Sequence, residues 1–345
     1  MEELHAEVHA FLDQKGKTRF ADLRMKLRMG FLFAVYSSLW ASICFGTLTV
    51  AQAFICWLFL GITGTSIALN VGHEASHSVF SKSRWVNGIL YQAGMSILGV
   101  SGYLWKVGHL ETHHRWVNIP GYEVGVDANH VLRLTVETPW KARYRHQNWY
   151  APLLYAIYTL TWVLFRDWRV LWSGRMSGHS FENGPKRFAE LFFVKAFYFT
   201  YILAIPILYS PFSVGEILIG FLGFHLFSSI YLAAMLFTSH LSIEPTFALP
   251  DSDGNLPDSF VTHHLRATMD VLPESRVMGF LLGGFNSHAI HHLFPSICSV
   301  YYPEMTAILK RKCAEHRMPY LETSVSGAVI SHFRYLKKMG EPCST

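Results

Sequence analysis

Apolar and polar positions fall into long blocks along this chain. Residues 1–28 are mostly polar and read as a helical segment, and residues 15–28 carry six Lys/Arg against one acid, Asp22. Residues 29–72 then run for 44 positions without an Asp, Glu, Lys or Arg. A helix needs about 20 apolar residues to cross a bilayer. The block therefore predicts two spans, 30–49 and 52–71, joined by a tight turn near "TLTVAQA". Two more uncharged blocks, 196–215 and 217–243, predict spans at 194–213 and 217–238. The runs 87–105 and 147–165 are also uncharged, but the first is rich in Gly, Ser and Gln. A shallow interfacial helix suits it as well as a crossing. The last hundred residues are polar with mixed helical patterns and hold no further span.

Composition agrees with a bilayer. Charged residues make up 15% of the chain, against about 25% in soluble domains. A net charge of +5 gives no sign of nucleic-acid binding. The basic residues bear on topology instead. The basic flank before residue 29 puts the N-terminus in the cytoplasm. Residues 115–187 hold ten Lys/Arg and five acids, while the turn "YSPFSVGE" holds neither Lys nor Arg; the same rule puts the first inside and the second outside. The chain start lacks a basic segment followed by an apolar one, so no signal peptide is expected. Cys44, Cys56, Cys298, Cys313 and Cys343 are scattered without a CxxC and imply no disulfide framework.

Nineteen histidines stand out, and three clusters hold eight of them: His73 and His77; His109, His113 and His114 in "HLETHH"; His288, His291 and His292 in "HAIHH". Residues four apart on a helix share a face, so each i,i+4 pair can grip one metal, and an adjacent third histidine, turned about 100° away, can reach a second. Boxes that share a site must lie on one side of the membrane. An even number of crossings must then separate them, which rejects 87–105 and 147–165 as spans and leaves four. His240 ends the fourth span at the same face and is placed to join the site. His225 lies fifteen residues earlier, about 22 Å away along a helix, and reads as a packing histidine. His263 and His264 lack a helical partner and read as surface or substrate-side residues.

His73-Glu74-Ala75-Ser76-His77 alone spells HExxH, the zinc-protease signature. Such an enzyme uses one metal and has no need of two further boxes, so an intramembrane zinc protease is kept only as an alternative from another class. Glu74, Glu111 and Asp270 are instead expected to accept an imidazole N–H, as metal-bound histidines require.

HxxxH, HxxxHH and HxxHH in this order with four spans resemble the membrane fatty acid desaturase family. "HHRWVNIPGYE", with Asn118 and Gly121, is similar to the family's text after the second box. "GGFNSHAIHHLFPSI", with Asn286 and Pro295, resembles its third-box signature, and "YYPEM" is also family-like. The resemblance covers roughly residues 60–340. It implies an all-α integral membrane fold in which residues 1–28 form a cytoplasmic N-terminal segment and 29–340 one domain. That domain has four spans, interfacial helices and a cytoplasmic helical cap, 73–190 and 240–340, around a di-metal site. It also implies that His73, His77, His109, His113, His114, His240, His288, His291 and His292 bind two iron ions, with Asn286 as a supporting residue. The implied reaction uses dioxygen and two external electrons to insert a cis double bond into a fatty acyl chain. Hydroxylation or acetylenation on the same site stays open. Ferredoxin, or a b-type cytochrome with its reductase, is the implied donor, and Lys141, Arg143 and Arg145 are candidates to attract it or, equally, phosphate on an acyl carrier. The acyl group is carried by lipid, coenzyme A or acyl carrier protein, in a bacterial inner membrane or the endoplasmic reticulum. An apolar slot under the metals is expected, with Trp105 at its mouth. Three features depart from related front-end desaturases: His288 stands where Gln opens their third box, no HPGG cytochrome motif is present, and "YEVGVD" leaves Glu123 and Asp127 as the acids after the second box.

Overall fold

In the computed structural model, residues 2–127 and 131–342 are described; Cys343 lies outside them. Each spanning helix starts where a polar side chain can take up free N–H groups. The Asp22 carboxylate accepts the Met25 N–H at 3.3 Å and opens helix Leu23–Phe45. Thr49 and Gln52 form a capping box that opens Val50–Ile67, and this helix winds on through a π-helical turn, Ala68–His73, to Glu74–Ser76. Pro185–Phe199 continues likewise through Thr200–Ala204 into Ile205–Tyr209. Ser213 and Glu216 box the start of Val214–Leu236.

These four bodies, of 23, 27, 25 and 23 residues, are long and apolar enough to cross a membrane. At about 1.5 Å per residue they exceed the roughly 30 Å hydrocarbon core. Phe31, Phe59, Phe193, Phe197 and Ile219 on them are exposed, as lipid-facing residues are. Residues 87–105 break into Arg84–Ser96 and Gly102–Lys106. Residues 147–165 break into Gln147–Ala156, Tyr158–Thr161 and a π-turn, Trp162–Arg166, followed by Asp167–Ser173. Among the described residues neither run forms a helix long enough to span.

Close helix contacts set the positions of the boxes. A Cβ at Gly61 would sit 2.4 Å from the Phe224 carbonyl oxygen, so only glycine lets the second and fourth spans meet there, and Ser228 Oγ donates to the Gly61 carbonyl at 3.0 Å. A Cβ at Gly94 would lie 2.7 Å from Gly72 Cα, which seats Arg84–Ser96 directly against the turn that carries His73. Arg28 donates to Asn70 Oδ1 at 2.9 Å. The beginning of the first span is thereby level with the end of the second, and the chain has returned to the side it left.

On that side the cap assembles. Helix Glu2–Gln14 lays Leu4, Val8 and Leu12 against the core shared with Tyr302–Glu315. Two small sheets complete it. One is the antiparallel pair Arg175–Met176 and His179–Ser180; the other is the parallel pair Met269–Val271 and Leu321–Thr323, with Asp270 opposite Glu322. The fold is otherwise helical, as expected for an all-α membrane protein.

Candidate metal centre

Nine histidines gather into two groups at the span ends. His73, His77, His109, His114 and His291 form one; His113, His240, His288 and His292 form the other; within each, the candidate ligand nitrogens lie within 4.8 Å of one another. All three boxes and His240 therefore meet at one end of the helical bundle. The split of the second box differs from the i,i+4 expectation. His109 pairs with His114, at 3.1 Å between Nε2 atoms, and His113 goes to the other group. The cause is the π-helical winding of Val107–His113, in which the His114 N–H reaches back five residues to the His109 carbonyl. In such a turn i and i+5 take the neighbourly relation that i and i+4 have in an α-helix. The third box, His288–Leu293, is α-helical; there His288 and His292 stay together and His291 turns to the first group.

The ring nitrogens fit bound cations. His109 Nε2 lies 3.0 Å from His73 Nε2 and 3.1 Å from the Nε2 atoms of His77 and His114. A neutral imidazole has a single N–H, so this crowd of nitrogens cannot satisfy itself. Protonation is opposed: burial, then neighbouring histidines, holds His109, His114, His291 and His292 well below the ordinary histidine value. Burial likewise pushes His77 down to about 3 and His240 to about 4. His291 Nε2 and both ring nitrogens of His292 are buried with no hydrogen-bond partner. Each such atom costs about 1–3 kcal/mol, and a cation coordinated through one ring nitrogen of each residue removes that nitrogen's cost. An uncharged, all-nitrogen donor set suits Fe, Zn, Cu or Ni rather than Ca or Mg.

The opposite ring nitrogens of four of these histidines, His113, His240, His288 and His291, are held by the protein. His113 Nδ1–H donates to Glu123 Oε1 at 2.5 Å, while Glu123 Oε2 accepts the Asn118 N–H at 2.5 Å. Burial would raise the Glu123 carboxyl; the facing His113, His240 and the Asn118 N–H outweigh it and hold the group below its usual value. His240 Nδ1–H donates to the Ala267 carbonyl at 2.9 Å, His288 Nδ1–H to Phe285 at 3.2 Å, and His291 Nδ1–H to the Tyr302 hydroxyl at 3.1 Å. Asn118, with φ of 53°, sits in the left-handed region that Asn tolerates. It donates to the carbonyls of His240, Thr246 and Ala267 at 3.2–3.3 Å and stitches the second box to the end of the fourth span.

Of the acceptors expected from sequence, none takes an imidazole N–H. Glu74 is 3.9 Å from His73 Nδ1, beyond hydrogen-bond reach, and its Oε2 accepts the Ser299 N–H at 3.0 Å. Glu111 is paired outward with Arg115 at 3.1 Å, because i,i+4 on the π-to-α segment carries it away from the cluster. Asp270 accepts the Ala289 N–H at 2.8 Å and the Tyr320 hydroxyl at 2.7 Å; burial pushes its carboxyl up to about 7. It thus holds the third-box helix by its backbone. Asn286 donates to the Leu272 and Pro273 carbonyls at 3.0 and 3.2 Å and braces the loop before that helix. The carboxylate that does hold a ring, Glu123, is ten residues beyond His113, and the only sequence signal for it was its survival as an acid after the second box. His263 and His264 are buried rather than at the surface: helix Phe260–Ala267 packs its inner face below the centre, His263 Nε2–H donates to Val117 at 2.8 Å and His264 Nδ1–H to Phe260 at 2.8 Å. His225 stays apart from both groups, bonded to Thr159 Oγ1 and the Tyr198 hydroxyl, each at 2.9 Å.

A cavity of about 150 Å³ reaches the centre. His109, His113, His240 and His288 form part of its wall, and much of the rest is apolar, including Leu232 and Phe237. Trp105 lines it too and stacks on His109, with ring centroids 4.3 Å apart.

The HExxH alternative fails on this geometry. His73 and His77 belong to a five-imidazole group, and the Glu74 carboxylate is taken up by Ser299. Fold and site together define a four-span membrane protein with a buried, two-compartment histidine centre on an apolar slot. The fatty acid desaturase family model matches residues 48–324, and the chain belongs to that family, as an oxidoreductase of acyl-chain desaturation. It is 27% identical to an sn-1 linoleoyl-lipid 6-desaturase of Arthrospira platensis, over 98% of this chain and 91% of the relative. It is also 27% identical to a protein of the same name from Synechocystis sp., over 98% and 94%. An acyl-lipid (8-3)-desaturase of Physcomitrium patens is 25% identical over 92% of this chain and 66% of the relative.

Proposed function

We propose that this protein inserts a cis double bond into a lipid-linked fatty acyl chain at a di-iron centre on the cytoplasmic face of its membrane. The observation that carries the reading is the convergence of nine histidines, in groups of five and four, four of which, His109, His113, His240 and His288, reach the wall of one largely apolar cavity. His73, His77, His109, His114 and His291 would hold one iron, and His113, His240, His288 and His292 the other. Bound iron would supply the dioxygen chemistry that removes two hydrogens from an unactivated chain, with two electrons delivered from outside by a ferredoxin or a b-type cytochrome and its reductase.

The chain's own residues position and protect. Glu123 fixes the His113 tautomer and so leaves Nε2 as the nitrogen that would hold a metal, and the carbonyls of Ala267 and Phe285 do the same for His240 and His288. The apolar slot excludes water and holds the acyl chain against the centre, with Trp105 fixing the position of His109 by stacking. The names of the relatives, which are desaturases of acyl lipids, support a lipid-linked substrate over a thioester.

The test is product mass. Iron-loaded protein given an external reductant, dioxygen and labelled linoleoyl lipid should yield an acyl chain two mass units lighter. A gain of sixteen would mark a hydroxylase, and a loss of two that turns an existing double bond into a triple bond, read from the positions of unsaturation in the product, would mark an acetylenase.

A further inference from the structure

Arg166 is the one Lys or Arg among the lining residues of the acyl cavity. Its guanidinium lies over the Trp162 ring, 4.3 Å from the centroid, and donates to the Tyr158 hydroxyl at 3.4 Å. Arginine keeps its charge in any protein environment, and no carboxylate lies within 4.0 Å of this one among the described residues. The adjacent acid is already committed. Asp167 pairs with Lys195 Nζ at 2.7 Å in a buried contact, and accepts the Trp162 indole N–H at 2.7 Å and the Ser101 N–H at 2.9 Å. Lys195 also donates to the Gly99 carbonyl at 2.6 Å. The same network that neutralises Asp167 therefore holds Trp162 rigid beneath a guanidinium whose charge is unspent. Arg166 is partly exposed, and beside it Leu164, Phe165 and Trp172 are exposed apolar residues, Trp172 at 81%. Exposed tryptophan next to exposed Phe and Leu marks the level of lipid headgroups. A fixed, uncompensated guanidinium on an apolar slot at headgroup level matches one chemistry, a phosphate attached to the chain that fills the slot.

We infer that Arg166 binds the phosphate of an anionic glycerophospholipid whose acyl chain occupies the slot, and so selects the substrate headgroup. The inference rests on the slot being the acyl site. The probes are short-chain phosphatidylglycerol, short-chain monogalactosyl diacylglycerol and octanoyl-coenzyme A, added to full-length, metal-loaded protein in neutral detergent. Binding is read by the shift in thermal unfolding, which needs no turnover, and selection by the ratio of kcat/KM for long-chain forms of the two lipids. Phosphatidylglycerol should bind about tenfold tighter than the galactolipid. Arg166→Gln should abolish that difference, Arg166→Lys should keep part of it, and Arg169→Gln, on an exposed neighbour, should leave it intact. Metal content and unfolding midpoint without ligand check that the variants fold. Equal binding of the two lipids, or a preference that survives Arg166→Gln in folded protein, overturns the inference. A stronger, Arg166-dependent preference for the thioester overturns the assignment to lipid. Alkene formation without headgroup selection counts against this inference alone; headgroup-selective binding without alkene formation upholds it and counts against the desaturase reading alone.

Discussion

Glu123→Gln is the most discriminating perturbation of the centre. Glu123 is 3% exposed and uses both oxygens: Oε1 takes the His113 Nδ1–H and Oε2 the Asn118 N–H, each at 2.5 Å. Glutamine has one acceptor oxygen. If that oxygen keeps His113, the amide N–H₂ faces the Asn118 N–H; if it keeps Asn118, His113 loses its tautomer lock. Either way the negative charge that raises imidazole basicity is gone. Loss of such a partner typically weakens metal binding 10–100-fold, which is about 1.4–2.8 kcal/mol at roughly 1.4 kcal/mol per tenfold. The loss should fall on one compartment, His113, His240, His288 and His292, because Glu123 touches no ring of the other. Chelator competition on purified protein, followed by iron per chain, reads this directly. Wild-type protein should hold two irons at a chelator concentration where Glu123→Gln retains one, with desaturation lost in parallel. Unchanged affinity for both irons, in a variant that melts like wild type, refutes the reasoning.

Other expectations follow from the same contacts. His225→Phe should leave two irons per chain but cost about 1–3 kcal/mol of stability, since the Tyr198 hydroxyl loses its partner inside the membrane; loss of metal would return His225 to the centre. Lys195→Met should destabilise by about 3–5 kcal/mol by stranding the buried Asp167 carboxylate, and Asp167→Asn on top of it should recover part of the melting temperature. The metal-free protein should lose stability as pH falls. His240, near 4, and His77, near 3, are depressed below the ordinary 6.5, so between 6.5 and those values the unfolded chain binds the more protons, and each histidine contributes up to about 1.4 kcal/mol per pH unit. Chelated protein should thus gain stability from pH 4 to 6.5 in thermal melts, because these rings and the depressed His109, His114, His291 and His292 outnumber Asp270, whose carboxyl, raised to about 7, acts the other way; a flat profile would contradict the burial of these rings.

The spans were legible because membrane helices write themselves as uncharged blocks, and the requirement that three boxes share one side removed the two ambiguous runs. The meeting of the boxes with His240 was legible for the same reason. What sequence periodicity missed was local winding. A 100° step pairs His109 with His113, but the π-turn at Val107–His113 pairs His109 with His114 and sends His113 across. Sequence also placed acceptors by their position in the chain, choosing Glu74 and Glu111 within boxes and Asp270 ahead of the third. Chain direction at the centre turns those carboxylates to Ser299, Arg115 and Ala289, while Glu123 arrives from a loop that only the Asn118 turn brings back. His263 and His264 read as surface or substrate-side residues because nothing in the eight residues of Phe260–Ala267 reveals which face is covered.

The central claim is two redox-active metals held by nine histidines of this chain. Its most direct measurement is the metal content of protein purified from its native membrane, paired with a single-turnover incubation with reductant, dioxygen and labelled linoleoyl lipid. The account predicts two irons per chain and an acyl product two mass units lighter. One zinc per chain with no dehydrogenated product would contradict it.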